Sequence, residues 1–206
     1  MMKKFLLIIT FCMALLAMGA GSASAYEFSA EFVEKDGSEV TKGKVYMANG
    51  LSRYEVNGSG VVEVTRGDKK VMWTIFPRRK VYAEEEFFGI PSVGTAAQAA
   101  APKSTGDLSR EDLGYEMVDS YRLRKYLVTV KYNKGETQDR YYEWYRSGFP
   151  VPVKTENLSG TVSYEYKKLK LGPQDPSLFQ EPRGYRKVSA EELKQLEAQW
   201  EETRKK

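Results

Sequence analysis

The chain has 206 residues, 41% of them apolar and 29% charged, enough for one domain with a sizeable core. It has no histidine and one cysteine, Cys12. That excludes an intrachain disulfide, Ser-His and Cys-His nucleophiles, a histidine general base and zinc sites of His and Cys. The formal charge of +4 falls to +2 when Lys3 and Lys4 are set aside, too balanced to mark a nucleic-acid binder.

Residues 1–25 read as a secretory signal cleaved near Ala25, which places the mature chain in the periplasm. Lys3 and Lys4 precede the apolar run FLLIITFCMALLAM, and small residues at Ala23 and Ala25 close it. The run holds 14 residues, short of the roughly 20 that span a bilayer as a helix. Cys12 lies inside it with Phe11 before it, not at a small-residue cleavage site, so a lipid-modified cysteine is not expected.

From Tyr26 to Glu86 short β-branched and aromatic runs alternate with turn signals: YEFSAEFVE, KGKVYMA, LSRYEV, VVEVTR, VMWTIF and VYAEEE, separated by KDGS, NG, NGSG, GDKK and PRRK. This is the punctuation of an antiparallel meander. In the first run Phe28, Ala30 and Phe32 share one face while Glu27, Ser29 and Glu31 share the other, so one face is buried and one wet. Residues 89–110 lose the pattern and read as a flexible connector or lid, with a short helix at its C-terminal end. Strands resume with GYEMVDSY, LRKYLVTVKYN, QDRYYEWYRS, PVPVKTENL and TVSYEYKKLKL. Roughly ten or eleven antiparallel strands in succession curl into a sandwich, a barrel or a strongly bent sheet.

After the turn-rich DPSLFQEPRGYRKV, residues 189–206 predict a helix. Ser189 and Glu192 form a capping box, Glu191 and Glu192 lie in the first turn, and Arg204, Lys205 and Lys206 in the last. Leu193, Leu196 and Trp200 make a narrow apolar stripe that packs on an open face or end of the sheet, or receives a partner.

Without His and Cys, carboxylates remain for chemistry. Glu84 and Glu86, two apart on a strand, project to one side about 7 Å apart, within the range for a glycosidase acid and base that invert configuration. Three glutamates at a strand end serve more often as a solvated edge that blocks aggregation. Nothing resembles a calcium loop, and no metal or cofactor is expected. The turn Pro77-Arg78-Arg79-Lys80, with Lys69-Lys70, reads as a solvated turn or as a contact for anionic lipid headgroups at a membrane surface. The aromatic excess, seen in YYEWY at Tyr141 to Tyr145, puts large side chains on both faces of several strands. That suits a core, or an apolar cavity in a curved sheet.

The run from GLSRYEV through VVEVTRGDKKVMWTIFPRRKVYAEE resembles the central strands of the periplasmic lipoprotein-carrier (LolA/LolB-like) superfamily. Its pattern is carried by Gly67-Asp68-Lys69-Lys70, Trp73 and Pro77. SLFQEPRGYRKVS is similar to the closing segment of the same proteins, through Phe179, Pro182, Gly184 and Tyr185. The resemblance covers most of residues 26–188 and is closest to small exported members of the superfamily. It implies a mainly β half-barrel: one bent antiparallel sheet around an apolar hollow, covered by helices, which in the carriers holds acyl chains. A 16-carbon chain needs on the order of 12 kcal/mol of apolar shelter to cross water.

The expected protein is therefore a non-enzymatic carrier of a lipid or lipoprotein acyl chains, spanning 26–188 with the helix of 189–206 as a cover. Strand alternation selects Phe28, Phe32, Val45, Met47, Val71, Trp73 and Ile75 for the concave face, and a slip of one residue would turn each outward. The alternative is an envelope adaptor without a ligand cavity, engaging a partner through a sheet edge or the C-terminal helix.

Overall fold

Short turns of two to five residues shape the first half of the fold. Asn49 and Gly50, at φ 45° and 78°, are both left-handed, the geometry of the type I′ hairpin turn that Asn-Gly favours. The computed structural model describes residues 27–87, 107–132 and 137–204. Its first meander comprises β1 (Phe28–Asp36), β2 (Glu39–Ala48), β3 (Leu51–Val56), β4 (Val62–Arg66), β5 (Val71–Phe76) and β6 (Val81–Glu86). The second comprises β7 (Asp107–Val118), β8 (Tyr121–Tyr132), β9 (Thr137–Tyr145), β10 (Lys154–Asn157) and β11 (Val162–Leu171). A short β12 (Arg186–Val188) and the helix α1 (Ala190–Arg204) close the chain.

All twelve strands form one open sheet in the order β12-β6-β5-β4-β3-β2-β1-β11-β10-β9-β8-β7. The two meanders join where β1 pairs antiparallel with β11. The sheet is mainly β and single, as expected, but has twelve strands where ten or eleven were read. The extra one is β12, three residues that pair parallel with Val81, Tyr82 and Ala83 of β6. Three residues are too few for alternation to show, and a parallel neighbour leaves no turn signal beside it. A second correction concerns residues 107–110, read as the helical end of a loop. They open β7, paired with Lys131 to Val128. The rest of that loop, 89–106, and the leader 1–25 lie outside the described residues.

Register fixes two faces. Phe28, Met47, Ser52, Thr65 and Met72 stand in line across β1 to β5 on one, and Tyr46, Arg53, Val64 and Trp73 on the other. The first is the helix face, because Leu193 of α1 packs there with Phe76, Val81, Ala83 and Val188. The helix begins at Ser189, whose hydroxyl accepts from the Glu192 amide at 3.1 Å. The Glu192 carboxylate pairs with Arg186 at 2.8 Å. The second is the strap face, because residues 175–185 cross it after β11. Pro176–Phe179 form one 3-10 turn, capped by Asp175, whose carboxylate accepts from the Ser177 amide at 2.8 Å.

Candidate functional site

The seven residues selected by alternation fall on both faces. Phe28, Phe32, Val45 and Met47 lie on the helix face in an aromatic core with Phe149, Tyr164 and Tyr166. The Phe32 ring stacks on Tyr164 at 5.8 Å, and Phe28 meets Phe149 edge-on at 5.1 Å. Val71, Trp73 and Ile75 lie on the strap face beside Val62, Val64 and Tyr82. The one-face assignment is thus corrected. Trp73 pairs with Val64, which pairs in turn with Arg53, whereas Met47 pairs with Ser52, because the frame of alternation in β5 is opposite to that assumed from β1 and β2.

Phe179, 1% exposed, is the side chain that seals the strap face, packed among Ala48, Val62, Val64, Trp73, Ile75 and Tyr82. Few polar contacts hold the strap down. Arg53 donates to the carbonyl of Leu178 at 3.2 Å and Arg66 to that of Phe179 at 2.9 Å. Each guanidinium is steadied by a carboxylate two residues on, Glu55 at 2.7 Å and Asp68 at 2.6 Å. The Asp68 carboxyl lies below the usual carboxylate range because it accepts from Arg66. The Tyr82 hydroxyl donates to Glu181 at 2.6 Å, and that bond, then burial, pushes its pKa up to about 12.

Two clefts flank residues 180–185. One, of about 450 Å³, lies toward Arg66, Lys69 and Tyr82. The other, of about 290 Å³, lies toward Arg53, Val62, Ile75 and Pro77. The strap therefore runs between the two clefts and meets the sheet through Phe179 and its 3-10 turn, through Glu181, and again through Tyr185, which packs against the same apolar cluster. The alternation pattern alone missed Arg53, Arg66 and Glu181. The signal available for the arginines was two cations on the apolar phase of strands, after Leu51 and Val64, where a charge needs a partner.

The carboxylates divide by environment. Glu84 accepts from the Trp73 indole at 2.8 Å and from Lys187 at 2.7 Å. Lys187 and then the indole hold its carboxyl below the usual range, the opposite of what a glycosidase acid needs. β12 covers β6 only from Val81 to Ala83, so Glu84, Glu85 and Glu86 are exposed on the part of the strand that it leaves unpaired, as a solvated edge. Glu63, half-buried on the helix face, behaves otherwise: burial, then the Glu197 and Glu85 carboxylates, raise its pKa to about 7. At the far end Glu143, 4% exposed, accepts from Arg110 at 2.9 Å and from the Tyr145 hydroxyl at 3.0 Å. Among the described residues no group of three His, Cys, Asp or Glu side chains is arranged to hold a metal ion. None of their helices is long and apolar enough to cross a membrane.

No family model matches the chain, and no curated protein matches it. Solved structures that share a likeness include the following three. MucB, crystallised in complex with MucA(peri), is 12% identical with a TM-score of 0.47, over 80% of this chain and 57% of MucB. The lipoprotein LppX of Mycobacterium tuberculosis is 12% identical with a TM-score of 0.39, over 71% of this chain and 88% of its own. A DUF1329 family protein from Desulfovibrio piger is 14% identical with a TM-score of 0.36, over 77% and 93%. The chain thus spans little more than half of MucB. Likenesses this distant carry no inference about ligand or partner. The open antiparallel sheet is the architecture implied by the sequence resemblance to the LolA/LolB-like carriers.

Proposed function

We propose that the chain is a non-enzymatic binding protein of the cell envelope that shelters the apolar part of a lipid or of a lipidated protein. The ligand lies on the floor of Val71, Trp73 and Ile75 once the strap lifts. The observation that carries this reading is the strap itself: one buried aromatic, Phe179, covers an apolar floor while clefts open on both its sides. Displacing Phe179 joins the clefts over that floor, and an acyl chain replaces the ring with little net change in buried apolar area. Phe28, Phe32, Val45 and Met47 serve on the other face as the packed core that keeps the sheet rigid.

The test uses a neutral fluorescent monoacylglycerol and energy transfer from tryptophan. Transfer is expected in the wild type, to be lost in W73F and kept in W144F. Equal transfer in all three proteins rules out the strap floor as the site.

The adaptor reading is favoured by a different observation. β7 is the outermost strand, and Leu113, Tyr115 and Met117 along it are 44%, 59% and 62% exposed. An edge strand of this length, unpaired on its outer side among the described residues, is a template for strand addition. Recovery of an envelope protein that disappears in L113K/M117K would support that route.

A further inference from the structure

A third cleft, of about 270 Å³, lies at the opposite end of the sheet from the strap, where the turn between β7 and β8 faces β11. Its floor is apolar, formed by Val118, Leu123, Val153, Tyr166 and Leu169. Its rim is cationic: Arg146, Lys154, Lys167 and Lys168 stand against two carboxylates, Asp119 and Glu165. A bulge shapes the wall. Lys168 sits at φ 52°, and the β1–β11 register shifts by one residue there, which bends the strand beside the cleft.

Three of the four cations are already neutralised. Lys167 binds Asp119 at 3.0 Å and Glu165 at 3.4 Å, tying the β7–β8 turn to β11 across the mouth. Lys168 binds Glu31 at 2.9 Å and Lys154 binds Glu156 at 3.0 Å. Arg146 differs: it makes no ion pair among the described residues, and its guanidinium is held 4.8 Å above the Tyr121 ring. Stacked in this way, a guanidinium keeps its in-plane N–H groups turned outward for a carboxylate or phosphate. An apolar floor with one pre-oriented, unneutralised guanidinium at its rim complements an anionic amphiphile.

We propose that this cleft binds the head group and first carbons of a single-chain anionic amphiphile, with Arg146 holding the head. The volume lies just below the usual range for small-molecule sites, about 300–1,000 Å³, so the cleft takes one end of a chain and not its whole length. The site shares no residue with the strap floor, and the two assignments stand or fall separately.

Titration calorimetry of the purified full chain with decanoate, decyl phosphate and decanol tests the proposal. The anions are expected to bind at least tenfold more tightly than decanol. R146Q should weaken anion binding by about tenfold and leave decanol unchanged, the size expected for losing one charge-assisted hydrogen bond. R146K should restore part of the loss, and all variants should keep the wild-type melting temperature. Binding of decanoate alone assigns a free fatty acid, and binding of decyl phosphate alone assigns a lipid phosphate. Equal affinity for decanol and the anions, or unaltered anion binding in R146Q, overturns the proposal. If folded W73E abolishes amphiphile binding while R146Q does not, the ligand lies under the strap, and this assignment falls while the proposed function stands.

Discussion

Gly43 shows how closely one residue is held. It pairs with Phe32 across β1 and β2, and an added Cβ would overlap both the Phe32 ring and the carbonyl oxygen of Glu55 in β3. The ring lies over the glycine, and the backbone oxygen has no room to withdraw. G43A is therefore expected to destabilise by about 1–3 kcal/mol or more, read as a lowered midpoint in urea unfolding. Glu63 makes a prediction in pH. Its folded-state pKa, about 7, lies above the ordinary 4.5, so the native state binds its proton more tightly than the unfolded chain does. The resulting stability is complete below pH 4.5 and is lost as pH rises through 7, with a ceiling of about 3 kcal/mol. The groups facing it are Glu197 on α1 and Glu85 on β6, so the loss should loosen the helix first. E63Q should flatten this slope in melting temperatures taken from pH 4.5 to 8.

At the scale of elements, the strap is the piece whose removal is most informative. Phe179 fills the strap-face core, and F179A should cost about 3–5 kcal/mol of strap docking while raising the protein's uptake of a neutral apolar dye. A packed structural plug with no binding role would lose stability without gaining uptake. R66A leaves the Phe179 carbonyl without its donor and should cost about 1–3 kcal/mol, seen as faster hydrogen exchange at the Gln180 amide. Legibility also differs by element. β1 to β6 were plain in the sequence, since Asn-Gly and Gly-Asp turns punctuate alternating runs. α1 announced itself through Ser189, which caps the helix as expected, although Glu192 turns to Arg186 and not back to the cap. β12 was hidden because its partner β6 lies far away in sequence, and the first residues of β7 because DLSRED is exposed throughout and shows no apolar alternation. Alternation gives the two faces of a strand but not their phase between strands. That is why Trp73 was placed with Phe28 and is found on the opposite face.

For the whole molecule, the open single sheet was readable from the succession of short strands, while the means of covering it was not. Coverage depends on Arg53 and Arg66 reaching carbonyls more than a hundred residues away, at Leu178 and Phe179, and no local pattern encodes such a contact. One helix covers one face of the sheet and one strap the other, with an apolar floor beneath the strap. The proposal at stake is that this floor receives an acyl chain. The most direct measurement is solvent extraction of the protein purified from its native cells, followed by mass spectrometry of the extract beside that of W73E. A lipid is expected to be released in stoichiometric amount from the wild type and to be depleted in folded W73E. A lipid-free extract from the wild type, together with failure to take up added fluorescent acyl chains, would contradict it.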